Sequence, residues 1–153
     1  MMQSQVDRPN TKRFTLDEAN AMLPLVKSIA EDILSVYRTV TSRQADLRRL
    51  LRQSNRTAGS MYADEIAESR IDLQIEYDRI WQYREELESL GVLLRQPQEG
   101  LIEFPTLIDQ CEAFYSWKPG EPTVTHWRYA DDPWSHRRDI VFSDRNPGDA
   151  NSR

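Results

Sequence analysis

The chain has 153 residues, 39% of them apolar and 29% charged, with a formal net charge of -5 and a mean hydropathy of -0.72. Length and composition describe one soluble, globular domain with a core of its own and exclude a membrane-embedded chain. The single cysteine, Cys111, excludes an intrachain disulfide and any zinc site built on paired cysteines, and predicts a reducing, cytoplasmic address.

Residues 1–12 are polar and unpatterned, so they read as a disordered tail rather than a signal peptide or anchor. A helix is predicted from Thr15. Thr15 and Glu18 have the spacing of a capping box, and Asp17 and Glu18 suit the positive end of a helix dipole. Leu16, Ala19, Leu23, Val26, Ala30, Ile33, Tyr37, Val40, Gln44, Leu47 and Leu51 recur three and four apart, a heptad seam interrupted only by Gln44. Pro24 removes one backbone hydrogen bond and predicts a kink or a short first helix. Residues 54–60 read as a connection. A second helix then runs through Ile66, Leu73, Tyr77, Ile80, Leu87 and Leu90 to a left-handed cap at Gly91.

The predicted helices have about 30 to 38 residues each, roughly 45 to 57 Å, and the short connection makes them antiparallel. Residues 38–56 carry Arg38, Arg43, Arg48, Arg49, Arg52 and Arg56 against Asp46 alone. Residues 60–78 carry Asp64, Glu65, Glu68, Asp72, Glu76 and Asp78 against Arg70 alone. Pairing between the two helices is the simplest use of that asymmetry, and it disfavours nucleic acid as a partner. A second apolar stripe, Met22, Leu25, Ile29, Ile33 and Val36, needs cover from the rest of the chain or from a second copy.

After Gly91 short β segments are predicted at 92–95 and 101–104, at 112–117 and 123–129, and at 139–142, with a disordered tail over 143–153. Alternation puts Ala113, Tyr115 and Trp117 on one face. Pairing Trp117 with Thr123 adds Trp127 and Tyr129 to it and aligns Glu112 with Arg128 and Phe114 with His126 on the other. The aromatics are read first as the core face of a sheet covered by the first helix. Metal ligation by His126, Asp131 and His136 matches no defensible ligand spacing. Cys111 has no evident partner base and is read as a buried thiol. Anion capture by Lys118, Arg128, Arg137 and Arg138 beside the tryptophans is the more credible site chemistry.

The segments "FTLDEANAMLPLV", "LGVLL...PQEGLIEFPT", "W-KPGE" and "W---D-----R--I" resemble a family of uncharacterised bacterial proteins, domain of unknown function 2203, over most of residues 13–142. The resemblance implies a helical hairpin with a small β region and no established activity. The family's tryptophan, glycine and glutamate are matched by Trp117, Gly120 and Glu121, and its later tryptophan, aspartate and arginine by Trp127, Asp131 and Arg137. Ser116 and Arg128 stand where the family tends to have cysteine and histidine, and Pro133 and His136 where glycines are expected. His126, taken to point to the opposite face, is not counted as a substitute for that histidine.

The expectation is an α+β protein with one domain over 13–142, a helical hairpin at 15–90 and a β region at 92–142. Its leading function is a non-enzymatic interaction or assembly module, a homodimer or partner of another protein, with no cofactor and no membrane association. The alternative is a pocket for a small anionic or aromatic ligand at the helix–sheet junction, lined by Trp117, Lys118, Glu121, Trp127, Asp131 and Arg137.

Overall fold

The computed structural model describes residues 12–56 and 61–141. The tails predicted at 1–12 and 143–153 lie outside these residues, Lys12 excepted, as do residues 57–60 of the predicted connection. Two helices, α1 (Leu16–Arg56) and α2 (Ala63–Ser89), pack together. They precede an antiparallel sheet of β1 (Leu93–Gln96), β2 (Leu101–Ile108), β3 (Cys111–Trp117), β4 (His126–Tyr129) and β5 (Arg138–Asp139), each strand beside the next in sequence. The class is α+β, as predicted.

The capping box forms. The Thr15 amide donates to Glu18 Oε1 at 2.9 Å and the Glu18 amide to Thr15 Oγ1 at 3.0 Å. Pro24 does not split the helix, which runs 41 residues without a break. It leaves the Asn20 carbonyl without its helical amide partner. The Asn20 side chain meanwhile ties the helix to the sheet: Nδ2 donates to the Leu16 carbonyl, and Oδ1 accepts the Val124 amide at 2.8 Å. At the other end of α2 the Gly91 amide reaches the Glu88 carbonyl and the Val92 amide the Leu87 carbonyl, with Gly91 at φ +90°. That is a Schellman turn, closed by contact between two fully buried side chains, Leu87 and Val92.

The core lies at the base of the hairpin. Phe14, Leu23, Val26 and Ile33 pack there with Phe104, Tyr115 and Trp117 from the inner face of the sheet. Most of the second stripe on α1 is therefore covered by the chain itself: Ile29, Ile33 and Val36 are buried and Met22 is half-buried, while Leu25 stays 49% exposed. A smaller cluster of Val36, Val40 and Ile80 with Tyr37, Leu73 and Tyr77 continues up the hairpin, and Gln44, the break in the seam, donates to the Tyr77 hydroxyl. Beyond it, no described residue of 41–56 or 61–75 is buried.

β2 and β3 are longer than predicted, β4 and β5 shorter, and the pairing differs. β2 continues through Pro105 to Ile108 and pairs with β3 through a two-residue turn, Asp109 and Gln110, both at positive φ. Pro105 is tolerated because its carbonyl accepts the Phe14 amide at 2.7 Å. Its polar groups thus aim away from β3, where no ladder bond is lost. The face assignments of β3 and β4 hold, but the register differs by two: Phe114 faces Arg128 and Ser116 faces His126. The cause is the 118–125 connection. It is too long for a tight turn because it folds Val124 into the core.

Candidate functional site

The outward face of the sheet carries two knots of charge, which take in Glu121, His126, Arg128 and Arg137 of the residues that the sequence singled out. In the first, the fully buried Glu103 accepts two hydrogen bonds from Arg128, at 2.6 and 2.7 Å, and one from Arg95 at 2.8 Å. Both guanidinium groups lie over the Phe114 ring, at 4.7 and 5.0 Å from its centroid. Arg128 Nη1 also donates to the Asp132 carbonyl at 2.6 Å, closing the turn after β4.

In the second knot, Arg137 donates to both oxygens of Glu121, at 2.8 and 2.7 Å, and to the hydroxyl and carbonyl of Ser116. Glu121 also receives the Lys118 amide, while its own carbonyl accepts the Trp117 indole N–H at 2.8 Å. Burial raises the Glu121 carboxyl, but the Arg137 and Lys118 hydrogen bonds and the charges of Arg137 and His126 outweigh it and hold it below the ordinary range. His126 lies 3.5 Å from Glu121 and 3.0 Å from Asp139. It shares the outward face with Arg128 rather than opposing it, because residues two apart on a strand point the same way.

The structure thus brings Trp117, Lys118, Glu121 and Arg137 together, around the chain's own ion pair. Trp127 stands on the inner face against Tyr129 and under Arg138, whose hydrogen bond, outweighing partial burial, holds the Asp132 carboxyl below its usual range. Asp131 and His136 are exposed on the loop before β5. Of the cations proposed to take an anion, Arg128, Arg137 and Arg138 each hold a carboxylate of the chain. Ser116 and Arg128, two of the four departures from the pattern of the resemblance, are diagonal neighbours on the outward face, one in each knot. Cys111 is exposed at the start of β3, not buried, because its neighbours Asp109 and Gln110 form the surface turn.

A different surface stands out on the helical arm. Ile71, Ile75 and Trp81 on α2 are 62%, 46% and 61% exposed, with Met61 at 71% near the tip. None of these was assigned from periodicity. Beside Ile71 runs an open groove of about 600 Å³ lined by Leu51, Ser54, Ala63, Ile66, Ala67 and Arg70. Among the described residues one arginine of the basic run bridges to α2: Arg43, 3.6 Å from Asp72 and 3.8 Å from Glu76. Arg49 pairs within its own helix, with Asp46. The charge asymmetry is therefore only partly consumed between the helices.

Among the described residues no helix is long and apolar enough to cross a membrane, and no three His, Cys, Asp or Glu side chains stand together as a metal site. No curated protein and no solved structure matches the chain. The profile of an uncharacterized conserved protein family, DUF2203, matches residues 12–140, almost everything the structure describes, and the chain belongs to that family.

Proposed function

We propose that the protein is a non-enzymatic interaction module whose docking surface is the distal half of its helical hairpin. One observation carries this reading. From Thr41 to Arg56 and from Met61 to Ile75 no residue is buried, yet that segment and the turns of α2 that follow display Ile71, Ile75 and Trp81 to solvent. Two helices alone cannot enclose a core, and a large exposed apolar stripe rimmed by charge is the usual mark of a protein interface. The sheet's role is to hold the base of the arm. Its charged side chains are spent on one another rather than on a substrate. The single exposed thiol, Cys111, supports a reducing, cytoplasmic setting.

Photo-crosslinking tests the docking surface. A benzophenone amino acid at position 71 is expected to give protein adducts, and the same group at exposed Ser28, near the base, none. Equal yields at the two positions would remove the reading.

A second reading keeps a small anionic or aromatic ligand at the helix–sheet junction, among Trp117, Lys118, Glu121, Trp127, Asp131 and Arg137. It is favoured by Lys118, whose ammonium makes no ion pair among the described residues beside this cluster. Native mass spectrometry decides it. A retained small mass that disappears in Lys118→Ala or Asp131→Ala supports the pocket; the bare polypeptide mass in the wild type disposes of it. Arg137→Ala is a poor probe, since it would strip Glu121 of its counter-charge.

A further inference from the structure

The outer face of α2 carries a seam of its own, on the side turned away from α1. Asp64, Ala67, Ile71, Asp78, Trp81 and Glu85 follow one another three and four apart, interrupted only at Gln74, and every one is exposed. It is an apolar stripe with acids set into it. On the outer face of α1, Arg38, Ser42, Ala45, Arg49, Arg52 and Arg56 repeat the same three–four spacing, and all are exposed. This stripe is basic, with small residues in the gaps between arginines. The stripes on α2 and α1 run about 32 and 27 Å at ~1.5 Å per residue, so they are similar in length. Neither is neutralised by the other, for among the described residues the ion pairs between the helices are those of Arg43 alone.

We infer that the arm docks on a second copy of itself, with the acidic, apolar stripe of α2 lying against the arginine stripe of α1 in the partner, and the reverse contact made by the two-fold axis. The inference rests on the docking reading above and adds its occupant. Self-complementarity argues for that occupant. A two-fold axis uses one surface twice, so an arm bearing one basic stripe and one acidic stripe of similar length satisfies both at once in a dimer. Isoleucine and tryptophan side chains then meet the small Ser42 and Ala45 positions, and four helices enclose the core that two cannot. A nucleic acid would satisfy the arginines and be repelled by the carboxylates on the same arm.

The test is an exchange of charge between copies, read as mass by sedimentation equilibrium. One variant carries Arg49→Glu, Arg52→Glu and Arg56→Glu; the other carries Asp64→Lys, Asp78→Lys and Glu85→Lys. The wild type is expected at twice 18.0 kDa. Each variant alone sets like charges against one another across both halves of the interface and is expected at the single-chain mass. Their equimolar mixture restores opposite charges at both contacts and is expected to regain the dimer. Circular dichroism establishes that each variant is folded. Should one fail to fold, the milder Arg49→Gln, Arg52→Gln and Arg56→Gln variant is expected to weaken the dimer at least about tenfold.

A monomeric wild type, a dimer indifferent to both variants, or a mixture that stays monomeric would each overturn the inference. A monomer that still gives crosslinks from position 71 to another polypeptide leaves the docking reading standing without this occupant. A monomer with no such crosslinks removes both. Nucleic-acid binding that vanishes with the arginines while the mass stays at one chain also overturns it.

Discussion

Glu103 is a carboxylate with no exposed surface, and its charge is balanced by two arginines that also cover Phe114. Removing Arg128 leaves the buried carboxylate with Arg95 alone and one oxygen without its donor, so Arg128→Met is expected to cost about 3 kcal/mol in urea unfolding. Replacing both partners, Glu103→Leu with Arg128→Met, is expected to recover most of that loss. Glu121 behaves differently because it is reachable by water. Its carboxyl is held below the unfolded value of 4.5, so its contribution is present above that pH and is lost as pH falls toward the depressed folded value. The urea midpoint is expected to drop below pH 4.5, and Glu121→Gln to flatten that acid limb while lowering stability at neutral pH. The alternation of "LIEF" points Glu103 away from the core and makes it look solvated. Its burial was illegible because its cover comes from Phe114, Arg95 and Arg128, three side chains on other strands or in a bulge.

At the scale of elements, what could be read locally was read. The capping box, the Gly91 turn and the seam depend on residues within a few positions of each other, and the sequence spacing is the geometry. What failed was non-local or concealed. The β2–β3 hairpin turns on Asp109 and Gln110, neither of them glycine, and β2 runs past the predicted end at residue 104 because the Pro105 carbonyl faces away from β3, toward the Phe14 amide. The register of β3 and β4 was out by two because the intervening loop feeds Val124 into the core. The outer seam of α2 was in the sequence at the spacing of Asp64, Ile71, Asp78 and Glu85, but a search for positions facing α1 passes over it. The two halves of α1 should respond unequally to truncation. Leu23→Ala, in the buried base, is expected to cost about 3 to 5 kcal/mol, and Leu47→Ala, half-exposed on the arm, about 1 to 2, by the same urea measurement.

For the whole molecule, a dimer built on the arm makes stability depend on concentration. The thermal midpoint is expected to rise by a few degrees for each tenfold increase in protein, and to stay fixed if the chain is monomeric. Amide exchange in residues 41–56 should slow in the same series, since those turns have no enclosed core of their own.

The two borders of the sheet have a bearing on which assemblies are open to the molecule. β5 offers only two residues, and β1 only four, with its pairing to β2 shifted at Arg95. Short, irregular and charged margins give an incoming strand little to hydrogen-bond against, the device by which native sheets resist ribbon-like stacking and fibre growth. Growth by strand addition is thereby discouraged at both ends of the sheet. The proposed association through the arm would close on itself at two subunits, which would dispose the molecule toward finite particles rather than open-ended polymers.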